Sequence, residues 1–131
     1  MRNKDEPGAV LVIEDDPAIR KFACRALELE GYRVLQAEDA DEGMRLASQE
    51  SVSLILLDLR LPGRDGWSLL KELKSTAGLA DIPVVVCTAS VAVSQKERAM
   101  RMGAAGYLKK PLGVASLRQE VKRILGGERG A

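Results

Sequence analysis

Short, unbroken apolar runs alternate along this chain with longer stretches in which apolar residues return every three or four positions. Residues 9–13 read Ala-Val-Leu-Val-Ile. The run is brief and β-branched, which predicts a buried strand. It stops at Glu14-Asp15-Asp16, and Asp16 before Pro17 has the form of a helix N-cap followed by a first-turn proline. A helix is expected over residues 17 to about 30, with Ile19, Phe22, Ala23, Ala26 and Leu27 on its inner face and Gly31 as its stop. A second strand is predicted at 33–37, and a weaker amphipathic helix at 39–49 with Ala40, Gly43, Met44 and Ala47 inward. A third strand, 52–57, runs into Asp58, and a turn-rich loop over 61–66 leads to a helix at 67–73, apolar at Trp67, Leu70 and Leu73. The fourth strand is expected at 82–87, with Pro83 at its beginning, and a helix at 93–102 closed by Gly103. A short strand at 106–109 and a helix at 114–125, striped by Val114, Leu117, Val121 and Ile124, complete the series.

Five strands alternating with five helices imply parallel strands, because each crossover helix returns the chain to the same edge. The expected fold is α/β: a flavodoxin-like, doubly wound five-stranded parallel sheet in the order 2-1-3-4-5. Residues 9–125 form the domain, 1–8 a flexible N-terminal segment, and 126–131 a flexible tail or linker stub. In open sheets of this kind ligands bind outside the carboxyl ends of the strands, near the reversal of strand order. The chemistry is therefore sought in the residues that end each strand.

Composition narrows the choice. The chain has 131 residues, 20 Lys plus Arg against 19 Asp plus Glu, and a net charge of +1. That balance argues against a surface built mainly for nucleic acid. No apolar run approaches the ~20 residues of a membrane span, and the polar start lacks the apolar core of a signal peptide. With no histidine and two isolated cysteines, Cys24 and Cys87, the common zinc sites, a Ser-His-Asp triad and a histidine general base are excluded. A reducing cytoplasmic setting is the simplest expectation.

The first strand ends in Glu14-Asp15, the third in Asp58 and the fourth in Thr88, while the fifth is followed by Lys110-Pro111. Each has a plain reading. Asp16 caps a helix, Asp58 opens a turn, Thr88 is a strand-end hydroxyl and Lys110 is a solvated charge. Together, at one edge of a parallel sheet, they suggest more. Clustered carboxylates repel unless a cation joins them, and carboxylate oxygens suit a hard ion such as magnesium. A carboxylate beside such an ion can act as a nucleophile toward phosphorus, with a hydroxyl and an ammonium holding the phosphoryl oxygens.

Four strings, each at a strand end and in the right order, carry a resemblance: residues 10–20 (Val-Leu-Val-Ile-Glu-Asp-Asp-Pro-Ala-Ile-Arg), 54–66, 84–89 and 103–112. The chain resembles the receiver domain of two-component response regulators over about residues 9–125. The resemblance implies that Asp58 accepts a phosphoryl group from a phosphohistidine on a sensor histidine kinase or phosphotransfer protein, with Mg2+ as cofactor. It implies metal ligation by Asp15, by Glu14 through a bound water, by Asp58 and by the backbone carbonyl of Arg60. Lys110 would contact the phosphoryl group and Thr88 would move toward it. Ala89 would leave the acceptor accessible, and Tyr107 would switch between outward and inward positions, with plain packing of its ring as the alternative. Arg60 and Ser90 would tune phosphate lifetime. A signalling surface is expected on the fourth helix, fifth strand and fifth helix, with Arg98, Arg101, Lys109, Arg118 and Lys122 exposed. The domain would be no turnover enzyme, though it would assist its own phosphorylation and dephosphorylation. It would neither insert in a membrane nor bind nucleic acid directly.

Departures from the family pattern qualify the picture. Glu14 stands where many members have aspartate, and Ala104, Ala105 and Gly106 stand where the DNA-binding subfamily carries acids. The latter weakens the case for that subfamily's salt-bridged dimer, so a monomer or a phosphorylation-dependent dimer is expected. The output domain or partner is unread: a stand-alone regulator, a fragment cut before a DNA-binding domain and a receiver from a hybrid kinase all fit. Rivals on related scaffolds are a phosphorylation-independent docking module, an aspartate-based phosphatase and a flavin-binding protein. The phosphatase needs a second acid where Arg60 stands, and the acids after the first strand would repel a flavin phosphate.

Overall fold

The structure is a computed structural model that describes residues 8–89 and 92–126. Strands and helices alternate throughout: β1 (Ala9–Ile13), α1 (Pro17–Glu28), β2 (Val34–Ala37), α2 (Ala40–Gln49), β3 (Val52–Asp58), α3 (Gly66–Ser75), β4 (Val84–Thr88), α4 (Val93–Arg101), β5 (Gly106–Lys109) and α5 (Val114–Leu125). The strands make one sheet in the order β2-β1-β3-β4-β5, and every pairing is parallel.

The period-two alternation of strand side chains divides the core into two layers. On one face Leu11, Ile13, Ile55, Leu57, Val84 and Val86 meet Ala47 of α2, Leu69, Leu70 and Leu73 of α3, and Ala99 of α4. On the other, Val10, Val12, Leu54, Leu56, Val85 and Cys87 meet Ala23 and Leu27 of α1 and Leu117 and Val121 of α5. Both faces of the central strands are covered, which is why their sequences are apolar without alternation.

Three helices begin at a capping aspartate. Asp16 accepts from the backbone N–H of Ala18 and Ile19, Asp39 from that of Glu42, and Asp65 from that of Ser68. The loop between α3 and β4 is held from below, because Lys74 Nζ donates to the carbonyls of Ala80 at 2.9 Å and Ile82 at 2.8 Å.

Several predicted details differ. Phe22 and Val114, expected inward, are each 39% exposed; Cys24 is buried on α1, and Leu117 and Val121 on α5. Leu69 joins Leu70 and Leu73 in the buried face of α3, while Trp67 is only half-buried. Helix α1 ends at Glu28 rather than near 30. Strand β4 begins at Val84, because Pro83 has no N–H to give the ladder and Ile82 N–H is turned back to the Leu79 carbonyl. Of the expected flexible segments 1–8 and 126–131, residues 1–7 and 127–131 lie outside the described residues, as does Ser90. Among the described residues no helix is long and apolar enough to cross a membrane.

Candidate functional site

Parallel register gathers the strand ends. Ile13 lies opposite Leu57, which brings the next residues, Glu14 and Asp58, to the same level. Asp58 is level with Cys87, and Thr88 with Lys109. Glu14, Asp58, Thr88 and Lys110 therefore meet at one edge, where the strand order reverses between β1 and β3.

Asp58 is 3% exposed, and its Oδ1 accepts from the Arg60 backbone N–H at 3.0 Å and lies 3.2 Å from Lys110 Nζ. Glu14 is 4% exposed; its Oε1 is 2.7 Å from Lys110 Nζ and its Oε2 accepts from the Asp16 backbone N–H at 3.1 Å. One ammonium thus bridges two buried carboxylates. Burial pushes the Glu14 carboxyl up to about 7 despite Lys110, with Asp58 adding to the rise. Burial opposes the Lys110 ammonium, but the two carboxylates outweigh it and raise its pKa.

Asp15 is exposed, yet carboxylate oxygens of Glu14, Asp15 and Asp58 all lie within 4.8 Å of one another. Three hard oxygen donors at that spacing, two of them buried, fit a hard divalent cation that keeps part of its water shell. Arg20 secures this loop from α1: its Nη1 donates to the Glu14 carbonyl at 2.8 Å and the Asp15 carbonyl at 3.4 Å. Arg20 closed the first of the matching strings without an assigned role, because its partners are main-chain atoms six and five positions back.

Thr88 is buried at the end of β4, and its carbonyl accepts from the Lys110 N–H at 2.8 Å, so the hydroxyl-bearing and ammonium-bearing segments are tied side by side. Beside them opens a cleft of about 270 Å3 lined by Leu59, Arg60, Trp67, Thr88, Ala89 and Gln95. The Arg60 and Ala89 positions are exposed. Trp67 and Gln95 had drawn no attention in the sequence as cleft residues. Gly66 had been read only as the last residue of a turn-rich loop. A β-carbon there would lie 2.5 Å from Leu59 Cα and 2.6 Å from the Asp58 carbonyl, so only glycine lets α3 start this close to the loop after Asp58. Tyr107 is half-buried against the α2–α4 core layer.

The basic surface needs one correction. Arg118 is not a free exposed cation: its Nε and Nη2 donate to the Ala26 carbonyl at 3.1 and 3.0 Å, tying α5 to α1. Arg98, Arg101, Lys109 and Lys122 are exposed.

A doubly wound sheet with acids, a threonine and a lysine at the carboxyl ends of its strands defines a class of signalling domain. The family model for the response regulator receiver domain matches residues 10–122, and the chain belongs to that family. It is 40% identical over 116 residues to the DNA-binding dual master transcriptional regulator RpaA of Synechocystis, covering 88% of this chain and 48% of that protein. It is 31% identical to Protein PilH of Pseudomonas aeruginosa, covering 90% of this chain and 98% of PilH. The chain spans about half the length of RpaA and of the Escherichia coli KDP operon regulator KdpE. Among solved structures, a putative response regulator from Chloroflexus aurantiacus superposes with a TM-score of 0.86 at 28% identity, covering 92% of this chain and 99% of that one. The receiver domain of sensor histidine kinase PA1611 from Pseudomonas aeruginosa, with a magnesium ion coordinated in its active site cleft, superposes with a TM-score of 0.82 at 29% identity, covering 92% and 99%.

Proposed function

We propose that Asp58 is the phosphoacceptor of a two-component pathway. A carboxylate oxygen of Asp58 attacks phosphorus on a phosphohistidine of a sensor histidine kinase or phosphotransfer protein. The P–O bond forms as the P–N bond breaks, and the imidazole leaves. The observation that carries this reading is the placement of a buried Asp58 carboxylate 3.2 Å from Lys110 Nζ within a cluster of three acids.

Glu14, Asp15 and Asp58, with the Arg60 carbonyl, are the groups that would hold Mg2+, Glu14 through a bound water. When bound, the ion supplies positive charge against the charge spread over the transferring oxygens. The residues of the chain do the rest. Lys110 turns from Glu14 and Asp58 toward the incoming phosphoryl oxygens, and the Thr88 hydroxyl donates to one of them. Ala89 leaves the approach open. The shift of Thr88 draws on Tyr107 and changes the face formed by α4, β5 and α5, in proportion to the difference in how the two states hold the phosphoryl group. That face would address the output domain or partner, and the setting would be the cytoplasm.

Incubation with acetyl phosphate and Mg2+, followed by intact mass measurement, tests the proposal. One added phosphoryl group in the wild type and none in Asp58→Asn is the expected result. An unmodified mass in folded wild type with Mg2+ present would overturn it.

A further inference from the structure

Strand β5 is the last in the sheet, so the backbone groups on its outer side have no neighbouring strand. Lys110 N–H bonds inward to Thr88 and Ala105 N–H bonds inward to Val84, while the Tyr107 N–H and the Ala105 carbonyl face away from β4. Both outward groups are met by side chains of α5. Arg123 Nη2 donates to the Ala105 carbonyl at 2.8 Å, and the Glu120 carboxylate accepts from the Tyr107 backbone N–H. The two side chains also hold each other, with Arg123 Nε 3.0 Å from Glu120 Oε1 and Nη2 2.8 Å from Oε2. Arg123 holds the Glu120 carboxyl below its usual range. The pair therefore does for β5 what one rung of another strand would do.

The arrangement depends on residue 106. A β-carbon there would overlap the Glu120 carboxylate and lie 3.2 Å from Arg123 Nη2. Gly106 has an ordinary backbone conformation, so the glycine is required by the space the carboxylate fills rather than by its φ. Strand β5 then runs directly into Lys110, the ammonium that bridges Glu14 and Asp58.

We propose that Glu120 and Arg123 are positioning residues: they clasp the open edge of β5, fix the strand that delivers Lys110 to the carboxylates, and so link the outer face of α5 to occupancy of the site. Because coupling is reciprocal, a partner that draws Arg123 or Glu120 away from β5 weakens the hold of the site on a phosphoryl group. The coupling half of this inference rests on the function proposed above; the clasp does not.

Two readouts test it in the intact chain. Amide hydrogen exchange at Tyr107 reports the clasp, and the midpoint for beryllofluoride in the presence of Mg2+ reports the site. Gly106→Ala displaces only the mobile end of Glu120, and Glu120→Ala removes it. Both are expected to speed Tyr107 exchange about tenfold and to weaken beryllofluoride about fivefold. Arg123→Lys keeps a donor and restores part of both. Glu42→Ala, which breaks an ion pair of the same i,i+3 spacing on α2, leaves both unchanged. Unaltered Tyr107 exchange in Gly106→Ala and Glu120→Ala rejects the clasp. Faster exchange with unaltered beryllofluoride binding rejects the link to the site. A wild type that binds no beryllofluoride rejects the phosphoacceptor reading itself, and the link with it.

Discussion

The guanidinium of Arg98 lies over the ring of Trp67, 4.1 Å from its centre. The contact joins α4 to the start of α3 beside the cleft that holds Thr88 and Ala89. Trp67 is the single tryptophan of the chain, so its emission reports this corner alone. Binding of beryllofluoride with Mg2+ is expected to change Trp67 fluorescence. Arg98→Ala should shift the emission of the unliganded protein and lower stability by about 0.5–1 kcal/mol, the range of exposed cation–π pairs. Calorimetric binding with no change in emission would show that the Trp67–Arg98 corner stays fixed when the site fills.

Lys110 is the sole cation that the described contacts place between Glu14 and Asp58. Removing it leaves two buried acids facing each other, and breaking a buried pair costs more than the pair itself contributes. Lys110→Ala is expected to lose about 3 kcal/mol of stability in metal-free buffer. Magnesium then raises the melting temperature of the variant more than that of the wild type, since the ion supplies the charge the ammonium no longer gives. Equal increments in the two proteins would contradict the view that ammonium and metal serve the same carboxylates.

Gly66 gives a test of the loop after the acceptor. A methyl at this position meets the backbone of the loop after β3, at Leu59 Cα and at the Asp58 carbonyl, and neither can swing aside as a side chain can. Gly66→Ala should cost about 2 kcal/mol and slow labelling by acetyl phosphate, because the displaced residues carry Asp58 with them. Denaturant midpoints and labelling rates measured on the same preparation separate the two effects. A variant with both unchanged would mean that the loop relaxes freely around the added carbon.

The sequence displayed the sheet because each central strand is covered on both sides and must be apolar throughout, as in Leu54-Ile55-Leu56-Leu57. It displayed the gathering of Glu14, Asp58, Thr88 and Lys110 for a related reason: in a parallel sheet all strand ends share one edge. It concealed interactions whose partners are main-chain atoms. Nothing in the pattern around Arg20, Arg118 or Arg123 distinguishes a guanidinium in water from one bonded to the carbonyls of Glu14, Ala26 or Ala105. Helix faces were read well only to within one residue. Phe22 and Val114 have the periodicity of core positions, but smaller neighbours, Ala23 and Cys24 on α1, fill the space at the sheet.

Cys24 and Cys87 are 3% and 4% exposed and unpaired. Burial pushes the Cys24 thiol up to about 11 and the Cys87 thiol up to about 12. A folded-state pKa above the unfolded value favours the fold while the group stays protonated. The contribution is complete below the unfolded pKa, near 9.0, and is lost as pH rises through the folded values. Above about pH 9 the unfolded chain releases protons that the folded chain keeps, so unfolding becomes easier by up to about 1.4 kcal/mol per pH unit for each thiol. Urea midpoints at about pH 8 and about pH 10 should therefore fall more steeply in the wild type than in the Cys24→Ala, Cys87→Ala double variant. Alkylation of the native protein at about pH 8 should be slow at both positions and become fast only in denaturant. Parallel pH slopes in the two proteins, or rapid labelling of the folded chain, would place these sulfurs in contact with water and contradict their burial on α1 and β4.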